Sequence, residues 1–144
     1  MTGPAGDRTI LHASSVAVDG RAVLVTGPSG AGKSALCLRM LALGARLVSD
    51  DRTEVIRTPE GLLARCPSDA IRGLIEARGL GLLRADPVQA PVALVVDLGT
   101  PESDRLPPFR TIKILGMTLP LAQRPQIDPV AEALMVYLQG GRQE

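Results

Sequence analysis

The 144-residue chain has room for one domain with one core. Hydrophobic residues make up 45% of it and the formal net charge is +1, which excludes a disordered polyelectrolyte and a basic nucleic-acid-binding surface. One Phe, one Tyr and no Trp leave almost nothing for bases to stack on, so the core must be built from Leu, Val, Ile, Ala and Met.

Residues 1–8, MTGPAGDR, lack the charged-then-apolar pattern of a signal peptide and read as a flexible tail. A single domain is expected over 9–139, with a short C-terminal tail at 140–144. No apolar run reaches the roughly 18–20 residues of a membrane helix, and a cytoplasmic location is expected. Thr9–Val18 and Arg21–Thr26 alternate like strands around Asp19-Gly20, the strongest two-residue hairpin signal. A type I′ turn there places His12 opposite Gly27.

Ala22–Gly27 is the continuous apolar run of a buried central strand, and GPSGAGKS follows it. Lys33–Leu43 favours helix, with Leu36, Met40 and Leu43 on one face, Cys37 and Leu41 beside it, and Gly44 as the stop. Arg46–Asp51 is a short strand ending in two carboxylates. Thr53–Arg57 and Leu62–Arg65 form a second hairpin around Pro59-Glu60-Gly61. The glycines of Ile71–Arg84 argue for a loop with at most short regular pieces.

Val92–Leu98 is another buried strand, and the proline-bearing stretch Gly99–Arg110 is a loop. Strands are expected at Thr111–Leu115 and Met117–Leu121. Asp128 and Pro129 look like the N-cap and first residue of a helix whose stripe is Val130, Leu134 and Leu138, ended by Gly140-Gly141. Cys37 and Cys66 lack metal-site spacing and read as buried thiols.

The stretch Gly27, Pro28, Ser29, Gly30, Ala31, Gly32, Lys33, Ser34 satisfies the phosphate-loop pattern G-x-x-x-x-G-K-[ST] in its proper strand-to-helix context. Glycines let successive N–H groups turn around a phosphate, and the helix N-terminus adds donors and partial positive charge. Lys33 can reach the β- and γ-phosphates of a nucleotide, and the Ser34 hydroxyl can ligate Mg2+. The alternative is a glycine-rich turn without a ligand. The shorter GxG pieces at 30–32 and 79–81 lack a full dinucleotide fingerprint.

If the strand ending at Asp50 and Asp51 lies beside the phosphate-loop strand, its end faces the phosphates. One carboxylate then faces the metal or an attacking hydroxyl and the other a neighbour. A solvated turn is the competing reading. His12, the only histidine, is either a surface residue or, through the hairpin register, a neighbour of the phosphate loop. Pattern alone assigns nothing to Glu76 or Arg105.

With these residues in hand, GPSGAGKSALCLRMLALGARLVSDD resembles the core of the HPr kinase/phosphorylase family. LIEARGLGLL is similar to that family's LEIRGLGII signature, DRLP resembles its DRL segment, and His12 precedes the phosphate loop as its catalytic histidine does. The matches span about residues 10–125. The resemblance implies an α/β, phosphoenolpyruvate-carboxykinase-like P-loop fold, a mixed sheet with flanking helices. It also implies Mg2+- and ATP-dependent phosphorylation of a serine on HPr, the phosphocarrier of the sugar phosphotransferase system, in many members together with removal of that phosphate by inorganic phosphate to release pyrophosphate, and a homo-oligomer, six-subunit in the family.

By the same resemblance, Ser34 and Glu76 match metal ligands, and Asp51 matches the proton acceptor for the serine hydroxyl. Asp50 is its neighbour, and His12, Lys33 and Arg105 match further catalytic positions. Leu119–Pro125 only partly follows the family's PVxxGR stretch, and its glycine is missing here. A small-molecule kinase and a nucleotide-binding regulatory module are the other two readings.

Overall fold

The computed structural model describes residues 5–144. In chain order its elements are β1 (Arg8–Leu11), β2 (Ala13–Val18), β3 (Arg21–Thr26), α1 (Lys33–Ala42), β4 (Arg46–Ser49), β5 (Thr53–Thr58) and β6 (Gly61–Arg65). There follow β7 (Leu74–Ala77), β8 (Gly81–Arg84), β9 (Ala90–Pro101), β10 (Arg110–Ile114), β11 (Met117–Arg124) and α2 (Val130–Gly140). Residues 1–4 of the expected tail lie outside the described residues. Ala5–Asp7 form a single 3-10 turn and Arg8 already belongs to the sheet.

Asp19 and Gly20 both take positive φ, 52° and 75°, as a type I′ turn requires. That turn pairs Val18 with Arg21 and Ala13 with Thr26, the register expected from the sequence. The expected strand over Thr9–Val18 breaks at His12. Beyond it the chain leaves β2 and runs as β1 along β5. His12 thus sits at a corner between two parts of one curled sheet.

The large sheet follows the order β1-β5-β6-β9-β3-β2-β4, with β11 added to β9 and β10 to β11. β3, β9 and β11 run parallel, and the rest of the order is antiparallel. Alternation along β3 separates two cores. Val23 and Val25 pack with Leu36, Met40 and Leu47 on the side of α1 and α2. Ala22 and Leu24 pack with Val48, Val55, Leu62 and Val95 on the other side. Each fully buried aliphatic side chain contributes about 1.5–3 kcal/mol, so α1 is held to the sheet by Leu36 and Met40 rather than by its own hydrogen bonds.

Four expectations need correction. β4 does not lie beside β3: it pairs antiparallel with β2, which intervenes. Its carboxyl end still reaches the same edge as that of β3, because β3 and β4 both run opposite to β2. Leu43 is exposed rather than part of the helix stripe, since the helix ends at Ala42 and Gly44 turns the chain at φ 109°. Cys66 is only partly buried, and its thiol donates to the Ser68 carbonyl. Pro129, not Asp128, is the cap of α2, and Asp128 Oδ1 accepts the Val130 N–H at 3.3 Å.

The stretch 71–84, expected as a loop with at most short regular pieces, holds two such pieces, β7 and β8, paired as a separate two-stranded hairpin. Buried Ile75 joins that hairpin to the α1-side core. Among the described residues no helix is long and apolar enough to cross a membrane.

Candidate active site

The loop over residues 27–34, which carries the phosphate-loop pattern, is built by backbone geometry that only glycine tolerates well. Gly30 and Gly32 take φ of 85° and 97°, and a Cβ on either would project into open space, so strain rather than crowding selects glycine there. Gly32 caps α1 without any side-chain hydrogen bond, which leaves the N–H groups of the first helical turn for an outside acceptor. Lys33 is buried, and its Nζ donates to the Gly27 and Pro28 carbonyls at 2.8 and 3.0 Å, which keeps the ammonium group over the loop.

Asp50 ties this loop to the carboxylate pair. Its Oδ1 accepts from Ser34 Oγ at 2.6 Å and from Ser14 Oγ at 2.8 Å, and its Oδ2 accepts the Glu76 N–H at 3.0 Å. Three elements, α1, β2 and β7, thereby meet at one carboxylate. Asp51 turns away with φ 67°, a left-handed conformation that costs an L-residue about 1–2 kcal/mol. That turn brings Asp51 Oδ1 to 2.8 Å from His12 Nε2. Both partners are exposed, so the pair is an aqueous contact with little stabilising value.

A cleft of about 450 Å³ gathers these groups. His12, Ser29, Gly30, Gly32, Lys33, Ser34, Asp51 and Glu76 line it, together with Ala35, Leu38, Ala77 and Arg78. The structure therefore brings together His12, Lys33, Ser34, Asp51 and Glu76, with Asp50 bonded behind them. Arg105 is not among them. It is exposed in the loop between β9 and β10 and lines a second cavity of about 520 Å³. That loop leaves the carboxyl end of β9, the strand parallel to β3, and Gly27 packs near Gly99 and Leu98 at the same end.

Cys37 is fully buried beside this site. Burial pushes its thiol well up from the ordinary value, and the negative charge of Asp50 adds to the effect, so Cys37 is a neutral packing residue. In the second cavity, Glu102 is buried and accepts a two-pronged contact from Arg110, 3.0 Å at both Nε and Nη2, and the Ser103 and Asp104 N–H groups. The Arg110 hydrogen bond holds the Glu102 carboxyl below the usual carboxylate range, against the opposing effect of burial.

Two residues of this neighbourhood are missed by the sequence reading. Ser14 looks like any small residue in an alternating strand. Asp97, within β9 and opposite Thr26, follows the apolar run Val92–Val96 as a carboxylate, a pattern that could have drawn attention to it. Its carboxylate accepts the Gly99 N–H and the Thr100 hydroxyl within the last residues of β9, where Gly99 lies beside Pro28.

A solved structure of the Hpr(Ser) kinase/phosphatase from Coxiella burnetii superposes with a TM-score of 0.76 at 29% identity, covering 91% of this chain and 88% of that one. The HPr kinase/phosphorylase of Bordetella pertussis is 45% identical over 76 residues, 52% of this chain and 24% of that protein. That of Bacillus cereus strain B4264 is 39% identical over 83 residues, 58% of this chain and 27% of that protein. The matched region is thus about a quarter of the length of these curated relatives. The fold is the mixed α/β type of the Coxiella protein. The family model described as the HPr Serine kinase C-terminal domain matches residues 5–89, more than half of the sequence, and the chain belongs to that family.

Proposed function

We propose that this chain is an ATP- and Mg2+-dependent protein kinase that phosphorylates a serine on an HPr-type phosphocarrier. The observation that carries this reading is the convergence, in one cleft, of a phosphate loop with the Asp51–His12 pair. A phosphate loop alone would support nucleotide binding only. A carboxylate beside it supports transfer to a hydroxyl.

The residues fit the co-substrate and the metal. The uncapped first turn of α1 and the ammonium of Lys33 suit a polyphosphate. The oxygen donors Ser34 and Glu76, with the Asp50 carboxylate bonded to Ser34, suit a hard cation that takes few protein ligands. Bound magnesium would neutralise charge on the phosphate oxygens.

In the transfer, Asp51 accepts the proton of the serine hydroxyl as that oxygen bonds to the γ-phosphorus. The bond from the γ-phosphorus to the β–γ bridging oxygen breaks, and ADP leaves. His12 orients the Asp51 carboxylate through its Nε2 contact. Arg105 matches a further catalytic position of the family, where a guanidinium would stabilise charge on the transferring phosphoryl group, and its loop opens at the phosphate-loop end of the sheet.

The test is incubation of the purified chain with Mg2+, γ-labelled ATP and a purified HPr-type carrier. Label on a carrier serine supports the reading. ATP bound without transfer to the carrier contradicts it, and label moving to a small metabolite would replace the protein substrate.

A further inference from the structure

Asp50 and Asp51 are consecutive, yet they serve different partners: Asp50 meets Ser34 and Asp51 meets His12. One side chain touches both residues. Ser14 Oγ donates to Asp50 Oδ1 at 2.8 Å and accepts the Asp51 N–H at 3.1 Å. A hydroxyl carries one donor and two acceptor lone pairs, so it can do both at once. Alanine or valine could do neither.

The fold explains how Ser14 comes to stand there. Strand alternation puts it on the same face of β2 as Val16 and Val18, which pack in the α1-side core, while Ser15 points to the opposite face and meets Thr53. A register shift between Ser15 and Val16, where β2 meets β4, brings the end of β4 over it. Ser14 is fully buried, so no solvent competes for its two bonds. The bond to the Asp51 N–H lies at the residue whose backbone takes the left-handed turn.

We propose that Ser14 is a positioning residue of the phosphotransfer site. Its hydroxyl holds the Asp50 carboxylate against Ser34 and fixes the Asp51 backbone in the conformation that delivers the Asp51 carboxylate to His12 and the cleft. The catalytic part of this inference rests on Asp51 being the proton acceptor; the positioning part does not.

The experiment compares the wild-type chain, Ser14→Ala and Ser14→Thr in two readouts. The first is amide hydrogen exchange followed by NMR. In Ser14→Ala the Asp51 amide should exchange at least about tenfold faster, with the amides of β3 and β9 unchanged. The second is steady-state transfer to the carrier. Ser14→Ala should lower kcat by about 10–100-fold with KM for MgATP within about threefold, because the base is misplaced while the phosphate loop is intact.

Ser14→Thr, which keeps the hydroxyl, should recover both. Unchanged Asp51 exchange and unchanged kcat in Ser14→Ala would overturn the proposal. So would equal losses in Ser14→Ala and a folded Ser14→Thr. A wild type that transfers no phosphoryl group would sink the kinase reading instead, and the Asp51 exchange rate in Ser14→Ala, a variant too small to clash, would still decide the positioning claim.

Discussion

Ser34 Oγ donates to Asp50 Oδ1 at 2.6 Å, across the strand that separates β3 from β4. This bond couples the phosphate loop to the carboxylate pair, two segments that are not hydrogen-bonded neighbours in the sheet. Replacing Asp50 by Ala removes one acceptor from Ser14, Ser34 and the Glu76 N–H together. Ser14 is fully buried and Ser34 partly so, and leaving their hydroxyls unpaired costs about 1–3 kcal/mol. Thermal melting should therefore fall by roughly 3–10 °C. A melting temperature equal to wild type would show that these bonds do not hold the site.

Asp51 separates stability from chemistry. Asp51→Gly removes the side chain at a backbone position that favours glycine, φ 67°, so its stability should stay within about 1 kcal/mol of wild type. Both Asp51→Gly and Asp51→Asn should keep nucleotide affinity and lose roughly two to four orders of magnitude in transfer rate, the range of a general base. Parallel losses of affinity and rate would assign Asp51 to metal binding or folding.

The Glu102–Arg110 pair gives a pH-dependent prediction. The folded Glu102 carboxyl lies below its unfolded value, chiefly through the Arg110 hydrogen bond. Such a group stabilises fully above the unfolded value, about 4.3, and loses that contribution as pH falls through the lower folded value. Glu102→Gln should therefore melt below wild type at pH 7, and the difference should shrink as pH drops through the acid range below about 4. A constant difference across that range would show that the pair's charge is irrelevant. Because Glu102 anchors the loop that carries Arg105, the same variant reports on how firmly that loop is held.

Much of this architecture could be read before any coordinates. Asp19-Gly20 gave both the hairpin and its register, because turn chemistry and two-residue alternation are local properties. The strand-to-helix turn over 27–34 was equally legible, since the positive φ of Gly27, Gly30 and Gly32 answers to backbone conformation within eight residues. The placement of β4 was not visible. Its apolar pattern is the same whether it lies beside β3 or beyond β2, and only tertiary pairing chooses. Gly73, Gly79 and Gly81 suggested a loop, although each marks a positive-φ corner around β7 and β8. Ser14 was invisible because its role comes from a long-range contact with residues 36 and 37 positions away, which no spacing rule encodes. Arg105 was found only by family resemblance, and it faces a different cavity from the other site residues.

The most direct test is a calorimetric titration of the wild-type chain and Lys33→Ala with MgATP. Lys33 presents its ammonium group over the phosphate loop, fixed by the Gly27 and Pro28 carbonyls. Wild type should bind the Mg–nucleotide complex with a micromolar to submillimolar Kd, in the range common for enzyme substrates, about 1 μM to 1 mM. Lys33→Ala should weaken binding by at least about tenfold, the equivalent of one charge-assisted contact of 1.4 kcal/mol or more. No heat of binding with wild type, or equal affinity in the two proteins, would contradict the account.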